Sequence, residues 1–352
     1  MWFIGAGVYK LLDYLKVTCG LLRMGMEIWL LVFVSFATFL VIIAFFSLIF
    51  LYLSTNPYPD LDRALTEEVF FDPISCDYAR FPFGLSERPD RQFSVIVPAY
   101  NETERLPKML DESLTYLNER KKTDSKFSFE IIIVDDGSTD DTYKVALNYT
   151  EQYTSDSVRV LKLVRNRGKG AAVRIGMLSA RGKFLLFADA DGATRFSDVE
   201  KLEERLAALT ASKWNGSMAV ICGSRAHLEA EATAKRHPLR NLLMHIFHFA
   251  VWLLCVQGIR DTQCGFKLFS RPAARLLFRN QHVERWAFDV DILYLARRLG
   301  VEVCEVPVNW HEVTGSKIVP IFSWLQMAKD LVLIRLRYAL GAWKIEPSHH
   351  LD

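Results

Sequence analysis

The sequence predicts an α/β domain built on a doubly wound, mostly parallel sheet, tethered by an N-terminal transmembrane helix. Three observations lead there. Short apolar runs ending in acids or turn residues recur at residues 93–102, 130–136, 158–164 and 183–191, the pattern of strands buried on both faces. Helix-forming segments separate them, so right-handed βαβ crossovers join the strands. Residues 28–53 are 26 positions without a charged side chain. As a helix that stretch is roughly 39 Å long, more than a hydrocarbon core of about 30 Å.

The 352 residues hold one large domain with accessory segments. Residues 1–27 form an N-terminal segment, whose half-apolar stretch from Trp2 to Leu22 either lies in the membrane interface or makes a second pass. Residues 28–53 are the anchor, longer than the apolar region of about 7–15 residues in a cleaved signal peptide. A Pro-, Asp- and Arg-rich linker covers 54–91. The α/β domain spans 92–343, in halves 92–225 and 226–343, and 344–352 is a tail. Half the residues are hydrophobic and the formal net charge is +2, so no nucleic-acid partner is expected.

Each strand carries its own punctuation. The run Phe93-Ser-Val-Ile-Val-Pro98 is expected to stop at Pro98. A helix then opens in Asn101-Glu-Thr-Glu-Arg105, with Thr103 as its cap. Glu130–Val134 ends in Asp135, Asp136 and Gly137, and Ser138 or Thr139 caps the next helix. Val158–Val164 leads into Arg165-Asn-Arg-Gly-Lys-Gly170, a basic turn at a helix N-terminus that suits an anion. Residues 184–188 lead into Asp189-Ala-Asp191-Gly192. Two carboxylates there are hard ligands for a divalent cation, although an isolated Asp-x-Asp is more often a solvated turn. Acids at several strand ends share one rim of the sheet, where ligands of open α/β folds sit. Together with the basic turn they suit a nucleotide held through base, ribose and metal-bound diphosphate. Neither a Gly-x-Gly-x-x-Gly nor a Walker sequence is present.

Val-Pro-Ala-Tyr-Asn-Glu102, Val-Asp-Asp-Gly-Ser-Thr-Asp140, Asn-Arg-Gly-Lys-Gly170 and Asp-Ala-Asp191 resemble the nucleotide-sugar half of the inverting glycosyltransferases of family 2, with their GT-A fold. Cys222-Gly-Ser-Arg-Ala-His227, Arg260-Asp-Thr-Gln-Cys-Gly-Phe-Lys-Leu-Phe269, the stretch 283–291 and the stretch 315–330 resemble one branch of that family. That branch moves glucose from UDP-glucose to dolichyl phosphate at the endoplasmic reticulum. The resemblance runs from Phe93 to Trp343. It implies that Pro98, Ala99, Tyr100, Glu102, Val134 and Asp136 hold uridine and that Lys169 lies near the nucleotide. Asp189, Ala190 and Asp191 would serve ribose, diphosphate and a Mg or Mn ion. Arg225 and Lys317 would face the acceptor phosphate. His311 stands where related mannose synthases have an Arg, so Arg236 or Arg240 is expected to complete that clamp. Asp289 stands where sugar-accepting relatives keep a base, and would instead orient the acceptor or fix Arg285. A phosphomonoester with its second pKa of about 6 needs no base. Asp189, Asp191, Arg225, Lys317 and Asp289 are thus the expected catalytic set. Rival readings are mannose transfer from GDP-mannose and a non-catalytic nucleotide-binding scaffold.

Two further stretches, 239–259 and 318–343, are apolar with interspersed charges. Both are expected to lie in the membrane interface, near a lipid-borne acceptor, rather than to span or to be plain core. Orientation signals conflict. Lys10, Lys16 and Arg23 precede the anchor and only Arg63 lies closely behind it, which places the domain across the membrane from the cytosol. Six cysteines without disulfide or zinc spacing, and a glycosylation sequon at Asn101 inside the nucleotide motif, point to a cytosolic domain. Two further sequons begin at Asn148 and Asn215.

Overall fold

A computed structural model describes residues 2–211, 218–228, 246, 249–313 and 322–346. The chain forms two compact units, Met1–Thr55 and Asn56–Asp352. The first is one helix, α1 (Trp2–Leu53), of 52 residues. Residues 2–27 are therefore continuous with the anchor, and no turn is left for a second pass. No proline interrupts the chain before Pro57, so nothing in this stretch breaks a helix outright. Within α1, Trp29–Leu53 is long and apolar enough to cross a membrane.

The second unit holds a seven-stranded sheet of order β5-β4-β3-β6-β8-β7-β9. Its strands are β3 (Arg91–Ala99), β4 (Phe129–Asp135), β5 (Val158–Lys162), β6 (Gly182–Ala188), β7 (Ala219–Ser224), β8 (Phe266–Ser270) and β9 (Glu302–Pro307). Strands β5, β4, β3 and β6 run parallel; β8 is antiparallel to β6 and β7, and β9 is parallel to β7. Pro98 does not end β3 but pairs with Val134 inside it. Registry with β6 reaches only Ile96↔Phe187, so β3 has outrun that neighbour where Pro98 lacks its N–H.

Alternation along the strands feeds two cores. Ile96, Ile132, Val134 and Phe187 pack on one side with α4 (Lys169–Leu178). Val95, Val97, Ile131 and Ile133 pack on the other with α2 (Leu106–Thr123) and α3 (Thr142–Tyr153). The helix starts differ from expectation. Neither Thr103 nor Ser138 or Thr139 caps a helix: α2 begins at Leu106 with Pro107 in its first turn, and Asp140 Oδ1 accepts the Thr142 N–H at 3.0 Å at the start of α3.

The expected linker carries structure of its own. β1 (Val69–Asp72) and β2 (Asp77–Arg80) form an antiparallel hairpin. Phe70 and Phe81 hold the buried Arg159 guanidinium 5.1 and 4.7 Å from their ring centroids. Buried Glu67 accepts the Val164 N–H at 2.9 Å. Residues 56–91 thus belong to the domain.

Helix α5 (Val199–Ala211) precedes β7; after β8 come α6 (Arg271–Asn280), α7 (Phe288–Arg298) and, past β9, α8 (Phe322–Ala339). Both stretches expected in the membrane interface contribute to the core along one face. Met327, Leu331, Ile334 and Tyr338 of α8 are buried, as are Val251 and Cys255. Leu325, Val332, Phe249, Trp252 and Leu253 are exposed.

Candidate active site

The parallel run of β3, β4 and β6 brings residues 100–102, Asp135–Asp136 and Asp189–Asp191 to one rim of the sheet. The uridine residues expected from resemblance line the first two strand ends. Pro98, Ala99 and Val134 are buried there, and Ala99 accepts the Asp136 N–H at 2.8 Å. Asn101 takes a left-handed φ of +54°, which Asn tolerates better than most residues. Its N–H donates to Ser138 Oγ at 2.9 Å and its Oδ1 accepts the Thr139 N–H at 2.8 Å, joining the two strand ends. Glu102 receives Arg105 Nε and Nη2, each at 2.6 Å, and its own N–H donates to Thr142 Oγ1. Tyr100 is half-buried beside them.

Asp136 is tied to the basic turn. Its Oδ1 accepts the Arg167 N–H at 2.7 Å and its Oδ2 the Gly168 N–H at 3.0 Å, while burial pushes its pKa up to about 6. The glycines of that turn serve close packing. Gly168 has φ +103°, and a Cβ there would meet Glu284 O at 2.7 Å. A Cβ on Gly170 would meet Phe288 Cβ at 2.5 Å. Ala171 N–H donates to Glu284 O at 3.0 Å. Part of the helix N-terminus expected for an anion is therefore taken by the 283–285 loop. The basic group delivered to the site is Lys169, whose Nζ lies 2.7 Å from Asp189 Oδ1. Burial works against its charge, but Asp189 and Asp289 outweigh that and raise its pKa.

Asp191 Oδ1 accepts the Ala193 N–H at 3.0 Å, with the buried Ala190 between the two carboxylates. Burial and the adjacent Asp189 raise the Asp191 pKa. A small cleft beside Asp189 is lined by Met109, Glu112, Gly192, Thr194, Phe196 and Phe266. Two carboxylates on one turn are hard oxygen ligands that would suit a divalent cation. Among the described residues, no cluster of three or more ligating side chains offers a fuller cage.

The second half completes the surroundings. Arg225 Nε and Nη2 donate to Asp261 at 2.7 and 2.8 Å, and its guanidinium lies 5.4 Å from the Trp310 ring centroid. Burial opposes the Arg225 charge, yet the Asp261 hydrogen bonds raise its pKa overall. His311 is exposed, and its N–H donates to Ala193 O at 2.9 Å, next to the Asp-x-Asp turn. Asp289 is buried and pairs with Lys267 Nζ at 2.6 Å rather than with Arg285. Burial works against the Lys267 charge, but Asp289 outweighs it and raises that pKa. Arg236, Arg240 and Lys317 lie outside the described residues.

Three residues here had no expected role: Asp261, Gly265 and Lys267. A signal existed for the last, a lysine within the apolar strand Phe266-Lys-Leu-Phe-Ser270. Nothing in the sequence marked Gly265, where a Cβ would lie 2.0 Å from Asp189 Oδ2.

A family model described as glycosyl transferase family 2 matches residues 94–278. The human dolichyl-phosphate beta-glucosyltransferase (Homo sapiens) is 55% identical over 286 residues, covering 81% of this chain and 87% of its own. The chain belongs to the dolichyl-phosphate beta-glucosyltransferases of glycosyltransferase family 2. Its Mus musculus relative of that name is 59% identical over 282 residues, covering 80% of this chain and 86% of its own. The Saccharomyces cerevisiae relative is 41% identical over 313 residues, with coverages of 86% and 92%. Among solved structures, a glucosyl-3-phosphoglycerate synthase from Mycobacterium tuberculosis, in complex with Mn2+, UDP-glucose and phosphoglyceric acid, aligns with TM-score 0.50. It is 19% identical and covers 72% of this chain and 81% of its own, a likeness of fold. The family's activity requires a nucleotide-sugar and dolichyl phosphate, and the chain is a glycosyltransferase with the GT-A fold.

Proposed function

We propose that this enzyme transfers glucose from UDP-glucose to dolichyl phosphate with inversion, forming dolichyl β-D-glucosyl phosphate for protein N-glycosylation at the endoplasmic reticulum membrane. The observation that carries this reading is the grouping of Asp189 and Asp191 on one turn, with Lys169 Nζ 2.7 Å from Asp189. Such a group suits a sugar diphosphate as leaving group.

Pro98, Ala99, Tyr100, Glu102, Val134 and Asp136 would hold uridine. Each Asp136 oxygen accepts one backbone N–H of the basic turn, so the same carboxylate also fixes the turn that presents Lys169. Asp189 and Asp191 would hold Mg or Mn, which when bound neutralises charge on the departing diphosphate. Lys169 adds positive charge at the same place. An oxygen of the dolichyl phosphate dianion attacks the anomeric carbon from the face opposite UDP, and the breaking C–O bond leaves its electron pair on UDP. Direct displacement turns the α-linked donor into a β-linked product. Arg225 and Lys317, with Arg236 or Arg240, would orient the incoming phosphate. No base is needed, and Asp289 is already committed to Lys267.

Incubating membranes carrying this protein with dolichyl phosphate and labelled UDP-glucose or GDP-mannose tests the proposal. Labelled lipid from UDP-glucose alone, with a β-anomeric signal, is expected. Labelling from GDP-mannose, or an α-linked product, would overturn it.

A further inference from the structure

We propose that Gly265 and Lys267 are positioning residues for the Asp189 carboxylate, and that Asp289 acts through Lys267 rather than on the acceptor. This rests on Asp189 holding the cation, as proposed above.

Strands β6 and β8 stay in antiparallel register through Ala188↔Phe266. One step further, Asp189 N–H donates to Gly265 O at 3.0 Å. Residues directly opposite in an antiparallel pair point to the same face. A side chain on residue 265 would therefore occupy the place of the Asp189 carboxylate. A Cβ built there lies 2.0 Å from Oδ2, 2.2 Å from Cγ and 2.5 Å from Oδ1. The carboxylate rests against a bare backbone, so the placing of residues 264–265 sets the direction of its oxygens.

Lys267 holds that backbone. Its Nζ donates to Cys264 O at 2.6 Å, the carbonyl of the peptide leading into Gly265. The same Nζ donates to Asp289 Oδ1 at 2.6 Å. Lys267 is only 1% exposed, so its charge needs this partner. Phe187, which pairs in register with Lys267, has Lys267 Nζ 5.9 Å from its ring centroid and Lys169 Nζ 5.3 Å away. Two ion pairs, Lys169–Asp189 and Lys267–Asp289, thus flank one ring. One reaches the rim of the site, and the other lies behind it.

A buried ion pair kept only for the fold can often be exchanged for apolar residues of similar size without loss of stability. That exchange separates the roles. K267M/D289L removes both charges together and also removes the donor to Cys264 O. G265A disturbs the seat directly and leaves the pair intact. Mn2+ binding in the presence of UDP, followed by electron paramagnetic resonance, reads the carboxylate without turnover, and a melting curve of each protein reports the fold. We expect both variants to melt cooperatively and to bind Mn2+ about 10- to 100-fold more weakly, the usual effect of losing support behind a metal ligand. Wild-type Mn2+ affinity in K267M/D289L would overturn the proposal. Loss of cooperative melting in that variant would also overturn it, since the pair would then serve the framework. If the wild-type protein itself takes up no Mn2+ with UDP, the cation assignment fails and the positioning role falls with it.

Discussion

Arg225 and Asp261 are joined at three points. The Arg225 backbone N–H and Nε reach Asp261 Oδ2 at 2.9 and 2.7 Å, and Nη2 reaches Oδ1 at 2.8 Å. Asp261 is itself held by Glu305, whose Oε1 accepts its N–H at 2.8 Å. The guanidinium is thus aimed by a carboxylate fixed to β9. If Arg225 makes a charge-assisted contact worth ~2–3 kcal/mol in the transition state, Arg225→Ala lowers the rate roughly 30- to 150-fold. Asp261→Asn, which keeps the shape and weakens the aim, should cost less and raise the KM for dolichyl phosphate. Steady-state kinetics with each substrate varied checks both, and unchanged kinetics in Arg225→Ala would remove it from the site.

Asp191→Asn is expected to abolish transfer and leave the fold intact. An Asn can still accept the Ala193 N–H through Oδ1. Burial and Asp189 disfavour the Asp191 charge, so its removal should leave thermal stability without nucleotide unchanged or slightly higher. Melting curves and a transfer assay with Mg or Mn decide, and near wild-type turnover would count against the metal assignment.

The parallel strands are legible in the sequence because each apolar run ends in an acid or a glycine turn, as at Val134-Asp-Asp-Gly137 and Ala188-Asp-Ala-Asp-Gly192. Contacts between distant segments are not. Gly265 meets Asp189 only because β8 enters antiparallel next to β6. Lys267 finds Asp289 across 22 residues through the packing of α7. The hairpin of residues 69–80 reads as linker because its strands are four residues long, one partly buried throughout and the other exposed throughout, so neither alternates. Helix starts escape the sequence for a local reason: Asp140, not the Ser or Thr before it, accepts the Thr142 N–H.

Asp291 makes stability depend on pH. It is fully buried, accepts the His282 and Val283 N–H groups and the Tyr338 hydroxyl, and burial raises its pKa from 3.8 to about 6. A raised carboxyl pKa favours the folded state at low pH, and that contribution is lost as pH rises through about 6. His282, lowered by burial to about 4, acts in the opposite sense over much of the same window. The difference between wild type and Asp291→Asn isolates the carboxyl. Relative to the variant, wild type should lose up to about 3 kcal/mol between pH 4 and pH 7. Denaturant titrations across that range test this, and parallel curves for the two proteins would refute it.

The domain after Ser54 is expected to face the cytosol despite the positive charges before the anchor. Asn101 Oδ1 accepts the Thr139 N–H at 2.8 Å, so a glycan on that side chain would sit within the nucleotide rim. Cys76, Cys222, Cys255, Cys264 and Cys304 are free thiols, as suits a reducing compartment. Protease added to sealed microsomes should digest the domain, whereas full protection, or a glycan on Asn148 or Asn215, would reverse the orientation.

Membrane docking by the catalytic domain should matter for the lipid-borne acceptor, and α8 separates that role from folding. Leu325 is 64% exposed and Val332 is 46% exposed, whereas Leu331 between them is fully buried. Phe249, Trp252 and Leu253 are exposed on the other apolar stretch. Burying side chains of this size in a bilayer contributes roughly 1.5–3 kcal/mol each, enough in combination to hold a domain at the surface. Asp at Leu325 and Val332 should therefore lower activity on bilayer-embedded dolichyl phosphate far more than on a short, soluble polyprenyl phosphate, with melting unchanged. Leu331→Asp buries a charge among Met327, Ile334 and Cys255, so it should lower the melting temperature and both activities together. The same logic predicts that protein lacking residues 1–53 still floats with vesicles, and that Leu325→Asp combined with Trp252→Asp releases it. If the surface pair instead depresses both activities equally and lowers the melting point, α8 serves the core alone and α1 is left as the membrane-binding element.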